Sequence, residues 1–267
     1  MSRPYRTSFN GKLDRLSSLI DRLRVQVSNA PIGSSEQDVA NFWICEDETG
    51  ALRLAFCPII DARVHSYSSL GVQQDETLLV AAHITISGVG KQLFTALPGC
   101  ISVPLVEEPY LTAIVTPLIE EVANPRCGGQ AAFQRLCEVV VIRLLRHAME
   151  QGNADAGMLK GLAHPRISAA LVAIHEAPGD LWTLEKLAET AGMSRTQFAV
   201  TFKEQVGATP MGYLANWRLD IARSELESGQ QVKSVANLCG FSSPAAFSRA
   251  FSRRFGVSPK QGRTRAA

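Results

Sequence analysis

Residues 184–207 read LEKLAETAGMSRTQFAVTFKEQVG and residues 232–256 read VKSVANLCGFSSPAAFSRAFSRRFG. They are two copies of one pattern. Leu187-Ala188 answers Val235-Ala236 and Gly192 answers Gly240, all 48 positions on, while Phe198, Phe202 and Gly207 answer Phe247, Phe251 and Gly256 at 49. Internal self-similarity of this kind marks a repeated supersecondary unit. In each copy apolar residues recur every three to four positions on both sides of a glycine, which can take a positive φ where the chain reverses. That pattern predicts helix, turn, helix, twice.

The second helix of each copy has a defined start. Ser194 precedes the first, with Gln197 three residues on as in a capping box, and Ser243 precedes the second, with Pro244 preset for the first helical position. Phe198, Phe202 and Val206 fall on one face of the first, which leaves Arg195, Thr196, Ala199, Val200 and Lys203 outside. Phe247, Phe251 and Phe255 do the same in the second, which leaves Ala245, Ser248, Arg249, Ser252 and Arg253 outside. A face of short side chains with Arg among them fits the major groove, where the backbone approaches base edges and Arg can pair bidentately with guanine. Arg249 is the outer residue suited to read guanine; Arg253 and Arg254 suit phosphates.

Charge is distributed to match. The chain carries a net +2. Residues 1–150 have 13 Lys and Arg against 16 Asp and Glu, and residues 151–267 have 14 against 9. From position 228 onward stand Lys233, Arg249, Arg253, Arg254, Lys260, Arg263 and Arg265 with no acid. A basic tail of this kind gains affinity for a phosphate backbone by releasing counterions.

These residues carry a family resemblance. LAETAGMS (187–194), FKEQVGATPMGYL (202–214), Trp217-Arg218-Leu219 with Ala222, VANLCGF (235–241) and FSRAFSRRFGVSP (247–259) resemble the double helix-turn-helix domain of the AraC/XylS transcription regulators. The resemblance runs from about Pro165 to Arg265. It implies two reading helices, 194–206 and 243–255, in successive major-groove segments about one turn apart on one face of double-stranded DNA. It also implies a regulator, activator or repressor, acting with RNA polymerase, and a homodimer. Ala199 and Val200 stand where members of the family often carry Arg or Gln, so the first helix offers thymine methyls an apolar contact, and Arg195, Thr196 and Lys203 are its polar groups.

The N-terminal part differs in kind. Short strand-like runs lie at 41–45, 52–57, 77–87 and 100–103, with turn signals at 48–50 and 88–90, and two helices are predicted at 110–123 and 130–151. The fold class read from this is α+β in two domains: a small β-barrel or sandwich with two helices, then an all-α double helix-turn-helix. Residues 1–151 form the first domain, 152–164 (GNADAGMLKGLAH) a linker, and 165–267 the DNA-binding domain. Residues 1–12, with Arg3, Arg6 and Lys12, read as an arm and 13–27 as an amphipathic helix. EVVVIRLLRHAM (138–149) is too apolar for a free helix, so it packs on the barrel or forms a dimer seam. By resemblance the β segment is a cupin-like sensing domain for a small-molecule effector. A metal-binding cupin needs converging His and carboxylate ligands; His65 and His83 stand apart, so no metal and no cofactor are expected.

Six cysteines, Cys45, Cys57, Cys100, Cys127, Cys137 and Cys239, include no C-x-x-C pair. The N-terminus has no apolar signal stretch and the chain no membrane-spanning run, which points to a reduced, cytoplasmic setting. Cys127, beside Arg126 in a Pro/Gly-bounded loop, is the thiol expected to be exposed. No phosphate-binding Gly-rich loop, H-E-x-x-H or G-x-S-x-G is present, so no enzyme is expected. The reading is a ligand-responsive, sequence-specific DNA-binding transcription factor. Two alternatives stay open: an N-terminal domain that serves only as a dimerisation or protein-interaction platform, and a cysteine-based redox sensor using Cys127 with a partner such as Cys137.

Overall fold

The computed structural model describes residues 8–9, 12–29, 40–58, 75–89, 97, 99–151 and 157–264. They fall into two compact units. One holds Arg24–Ser87 and Leu93–Ala154; the other holds Asp155–Ala267 together with Met1–Leu23 and Gly88–Gln92.

The first unit is built on a five-stranded sheet of order β3-β6-β4-β5-β7, with β3 at Leu23–Asn29, β4 at Phe42–Glu46, β5 at Leu52–Phe56, β6 at Thr77–Gly88 and β7 at Ile101–Pro104. β4 pairs antiparallel with both β5 and β6, and β5 with β7. Phe42–Cys45 of the central strand are buried without alternation, as expected of a strand covered on both faces. Trp43, Cys45, Ala55 and Ala81 pack on one side, and Phe42 meets Phe56 edge-on at 6.4 Å on the other. The β4–β5 turn is closed by the Asp47 carboxylate, which accepts from the Thr49 and Ala51 amides, while Gly50 takes the positive φ of 82°.

Two helices follow, α2 at Pro109–Ala123 and α3 at Gly129–Glu150, packed on each other. The apolar stretch of α3 is largely consumed inside this unit: Val140, Val141, Leu144, Leu145 and Ala148 are buried. Gln134 ties α3 to β3 by accepting from the Val27 amide and donating to the Val25 carbonyl. Strands β4 to β7 and both helices lie close to where the sequence pattern put them.

Residues 13–27 do not form the expected amphipathic helix. A helical turn, α1 at Ser17–Ile20, gives way to β3, because the run Leu23-Arg24-Val25-Gln26-Val27 alternates with a period of two and carries β-branched residues. Residues 8–9 and 12–13 pair as two short strands, β1 and β2, where an arm was expected. The segment expected as a linker is helical at Met158–Ala163, α4, with Met158, Leu159, Gly161 and Leu162 buried. Arg3, Arg6, His65 and residues 152–156 lie outside the described residues.

The second unit is all helical beyond α1. It comprises α4, α5 (Ile167–Glu176), α6 (Leu184–Thr190), α7 (Arg195–Val206), α8 (Pro210–Glu227), α9 (Val232–Leu238), α10 (Pro244–Phe255) and α11 (Pro259–Thr264). α4 can press against α5 and α7 because Gly161 has no Cβ: one placed there would sit 2.7 Å from both Leu171 and Val206. The N-terminal turn belongs to this packing. Leu16 and Leu19 are buried, α1 lies on α5, and Arg15 donates to the Leu162 and Ala163 carbonyls at the end of α4, where a cation complements the helix dipole.

Candidate nucleic-acid interface

Both helix-turn-helix copies form with the geometry their caps require. In the first, Thr183 caps α6 and Ser194 caps α7, each accepting from the amide three residues on. Gly192 and Gly207 take φ of 61° and 80° at the turn and the helix end. In the second, the Ser243 hydroxyl accepts from the Ala246 amide at 3.1 Å, and Gly240 and Gly256 take φ of 70° and 71°. The inward faces carry Phe198, Phe202 and Val206 on α7 and Phe247 and Phe251 on α10. Phe255 is only half-buried, its ring tilted against that of Phe251 and lying beneath Arg223 and Arg254.

The outward faces are as follows. On α7, Arg195, Thr196, Val200 and Lys203 are exposed and Ala199 is half-buried. On α10, Ala245, Arg249 and Arg253 are exposed and Ser248 and Ser252 are half-buried. Arg195 Nη1 meets Glu185 Oε1 of α6 at 2.9 Å. Both side chains are largely exposed, so the pair is weak and can open for another anion. Arg254 differs from its neighbours. Its guanidinium is engaged bidentately by Asp220 of α8, and only 26 % of its side chain is exposed.

The linking helix α8 carries the framework between the two copies. It contacts α6, α7, α9, α10 and α11. Arg218 donates Nε to the Pro178 carbonyl and Nη2 to the Asp180 carbonyl, both at 2.7 Å. The turn at Gly240 nests against Gly179, whose carbonyl would lie 2.5 Å from any Cβ at 240. Below, His175 Nε2 shares a 2.6 Å hydrogen bond with the Tyr213 hydroxyl and packs on Trp217. Burial, with Arg22 nearby, pushes the His175 pKa down to about 3, so this imidazole is neutral and structural. Sequence pattern alone did not expose Asp220, Glu185 or Arg218 as partners, because ion pairs 34 and 10 positions apart, and an Arg-to-carbonyl contact 40 positions apart, carry no spacing signal.

Comparison with known proteins agrees with this architecture. The family described as "Helix-turn-helix domain" matches residues 187–265, and the family described as "Cupin" matches residues 41–150. The chain is 30% identical over 200 residues to the "RCS-specific HTH-type transcriptional activator RclR" of Escherichia coli K12, covering 73% of this chain and 70% of that one. It belongs to the AraC family of transcriptional regulators. A second relative, the "HTH-type transcriptional regulator AlkR" of Acinetobacter baylyi, is 34% identical over 195 residues, 69% of this chain and 61% of its own length. Among solved structures, the DNA-binding domain of AdpA in complex with a target DNA is 31% identical, with a TM-score of 0.37, 38% of this chain and 93% of that one covered.

This AraC-family chain is thus a DNA-binding transcriptional regulator with an N-terminal cupin domain. Among its described residues no helix is long and apolar enough to cross a membrane, and no group of three or more His, Cys, Asp or Glu gathers as a metal site.

Proposed function

We propose that this regulator reads a double-stranded operator with α7 and α10, each laid in the major groove, and that its cupin domain couples a small-molecule effector to that reading. The observation that carries the proposal is the pairing of two capped helices whose inner faces are filled by Phe and whose outer faces are short or basic. Arg195, Thr196, Ala199, Val200 and Lys203 make the first contact surface; Ala245, Ser248, Arg249 and Arg253 make the second. Arg249 reads a base edge, Arg253 a phosphate, and Arg254 braces α10 from behind. Residues 1–151 serve sensing and dimerisation and 165–267 serve DNA binding, with the turn at Asp14–Ile20 supporting the second function from the chain's other end.

The regulator acts in the cytoplasm as a homodimer in contact with RNA polymerase, without cofactor or enzymatic turnover. Val106 in the turn before α2, Tyr110 on α2 and Val139 on α3 stay exposed and supply the apolar part of the dimer seam, since exposed apolar patches mark association surfaces. Selection of bound sequences from a random duplex library by the full chain tests the reading. Enrichment of one motif with two conserved blocks supports it. Recovery of unenriched sequence with steep salt dependence would reduce the surface to a nonspecific phosphate binder.

A further inference from the structure

In the sheet unit, two thiols face each other across neighbouring strands. β5 and β7 pair antiparallel with Ala55 opposite Ser102 and Phe56 opposite Ile101. One more step along that register sets Cys57 opposite Cys100. Cys57 belongs to the cluster that also holds Trp43, Cys45 and Ala55, and Cys100 packs against that cluster, so that each thiol perturbs the other's ionisation. Opposed residues of an antiparallel pair have Cα atoms about 4.5–5.5 Å apart, inside the roughly 4.4–6.8 Å that a disulfide accepts. We propose that Cys57 and Cys100 are a modification site: a dithiol that a hydroperoxide oxidises to a reversible disulfide joining the ends of β5 and β7.

The two sulfurs are unequal, which assigns their roles. The Cys100 thiol beside it, together with burial, raises the Cys57 pKa. The Cys57 thiol, with the Arg53 guanidinium nearby, holds Cys100 below the usual thiol range. Cys100 is also only half-buried, so it is the attacking thiolate. Its sulfur attacks one oxygen of the hydroperoxide: an S–O bond forms, the O–O bond breaks, and the departing alkoxide or hydroxide takes up a proton. Cys57 sulfur then attacks Cys100 sulfur; the S–S bond forms, the S–O bond breaks, and the hydroxide leaves as water with the Cys57 proton. Two thiols lose two electrons and the peroxide gains them.

The other thiols compete poorly, with one exception. Burial pushes Cys45 up to about 11, and Cys137 and Cys239 up to about 12. Cys127 is exposed and is the control. Cys137, the partner that the redox-sensor alternative names for Cys127, is buried on α3.

The test uses the full reduced chain, a few equivalents of hydrogen peroxide at neutral pH, a maleimide quench and non-reducing peptide mass mapping. The expected result is loss of two of the six free thiols, recovery of a Cys57–Cys100 linked peptide and its disappearance with dithiothreitol. Cys127→Ser should leave that result unchanged. Cys57→Ser should trap Cys100 as a sulfenic acid that dimedone labels. Oxidation confined to Cys127, or maleimide found on both Cys57 and Cys100 of the oxidised full chain, overturns the proposal whether or not the serine variants fold.

Discussion

Arg254 on the second reading helix holds Asp220 on the linking helix with Nη2 at 2.8 Å from Oδ1 and 3.0 Å from Oδ2. The same guanidinium lies 5.4 Å from the centroid of the Phe255 ring, which Arg223 of the linking helix approaches at 5.1 Å. A bidentate ion pair fixes orientation as well as distance. Arg254 therefore sets the angle of α10 against α8, whereas Arg253, one residue away, is exposed and unrestrained by any such clamp.

This separates two neighbouring arginines by experiment. Arg253→Ala should flatten the salt dependence of operator binding by about one phosphate contact. Arg254→Ala and Asp220→Asn should leave that slope unchanged, lower folding stability by about 1–3 kcal/mol and blur specificity in the half-site read by α10. Salt titrations of binding, paired with urea denaturation, distinguish them. Equal slope losses for both arginines would place Arg254 on DNA.

Arg249 should behave locally. Arg249→Ala is expected to cost about 1–3 kcal/mol on the preferred operator and to relax preference at one or two base pairs, with little change in nonspecific affinity. Val200→Ala on the first reading helix should cost less, since it removes only an apolar contact. A panel of singly substituted operators decides between the roles: uniform weakening across the panel by Arg249→Ala would make it a phosphate anchor.

The N-terminal turn should stabilise the DNA-binding unit it is packed in. Leu19 is fully buried, so Leu19→Ala should cost about 2–5 kcal/mol. Hydrogen exchange should rise in α4 and α5, some 140 residues away in sequence. Arg15→Ala should give a smaller effect in the same helices, through the carbonyls of Leu162 and Ala163. Exchange confined to residues near 19 would contradict this packing.

Acid should expose the His175 site. Its pKa is depressed to about 3 in the folded chain against about 6.5 unfolded. The folded state then takes up fewer protons than the unfolded state at intermediate pH. Its stabilising contribution is fully present above the unfolded pKa and is lost as pH falls from about 6.5 toward 3, at up to about 1.4 kcal/mol per unit. Denaturant midpoints measured between neutral and mildly acid pH should fall on this slope. A His175→Phe variant should flatten it, and an unchanged slope in that variant would remove His175 as the cause.

The two helix-turn-helix copies were legible because their Ser caps, reversing glycines and Phe spacing are all local signals. The strands at 42–46 and 52–56 were legible for the same reason, through short apolar runs broken by Asp47 to Gly50. The failures are equally physical. Residues 13–27 look amphipathic, but period-two alternation from Leu23 won over helical spacing. Residues 152–164 look like linker by their Gly and Ala, yet Gly161 is small because two side chains press on it. The Arg254–Asp220 clamp joins residues 34 apart whose pairing is set only by how the helices pack.

The most direct measurement of the central claim is hydroxyl-radical and methylation footprinting of the full chain on its selected operator. Two reading helices predict two protected major-groove segments about one helical turn apart on the same face of the duplex, per bound chain. Within them, one guanine should lose its protection in Arg249→Ala. A single protected segment per chain, or two on opposite faces, would contradict the account.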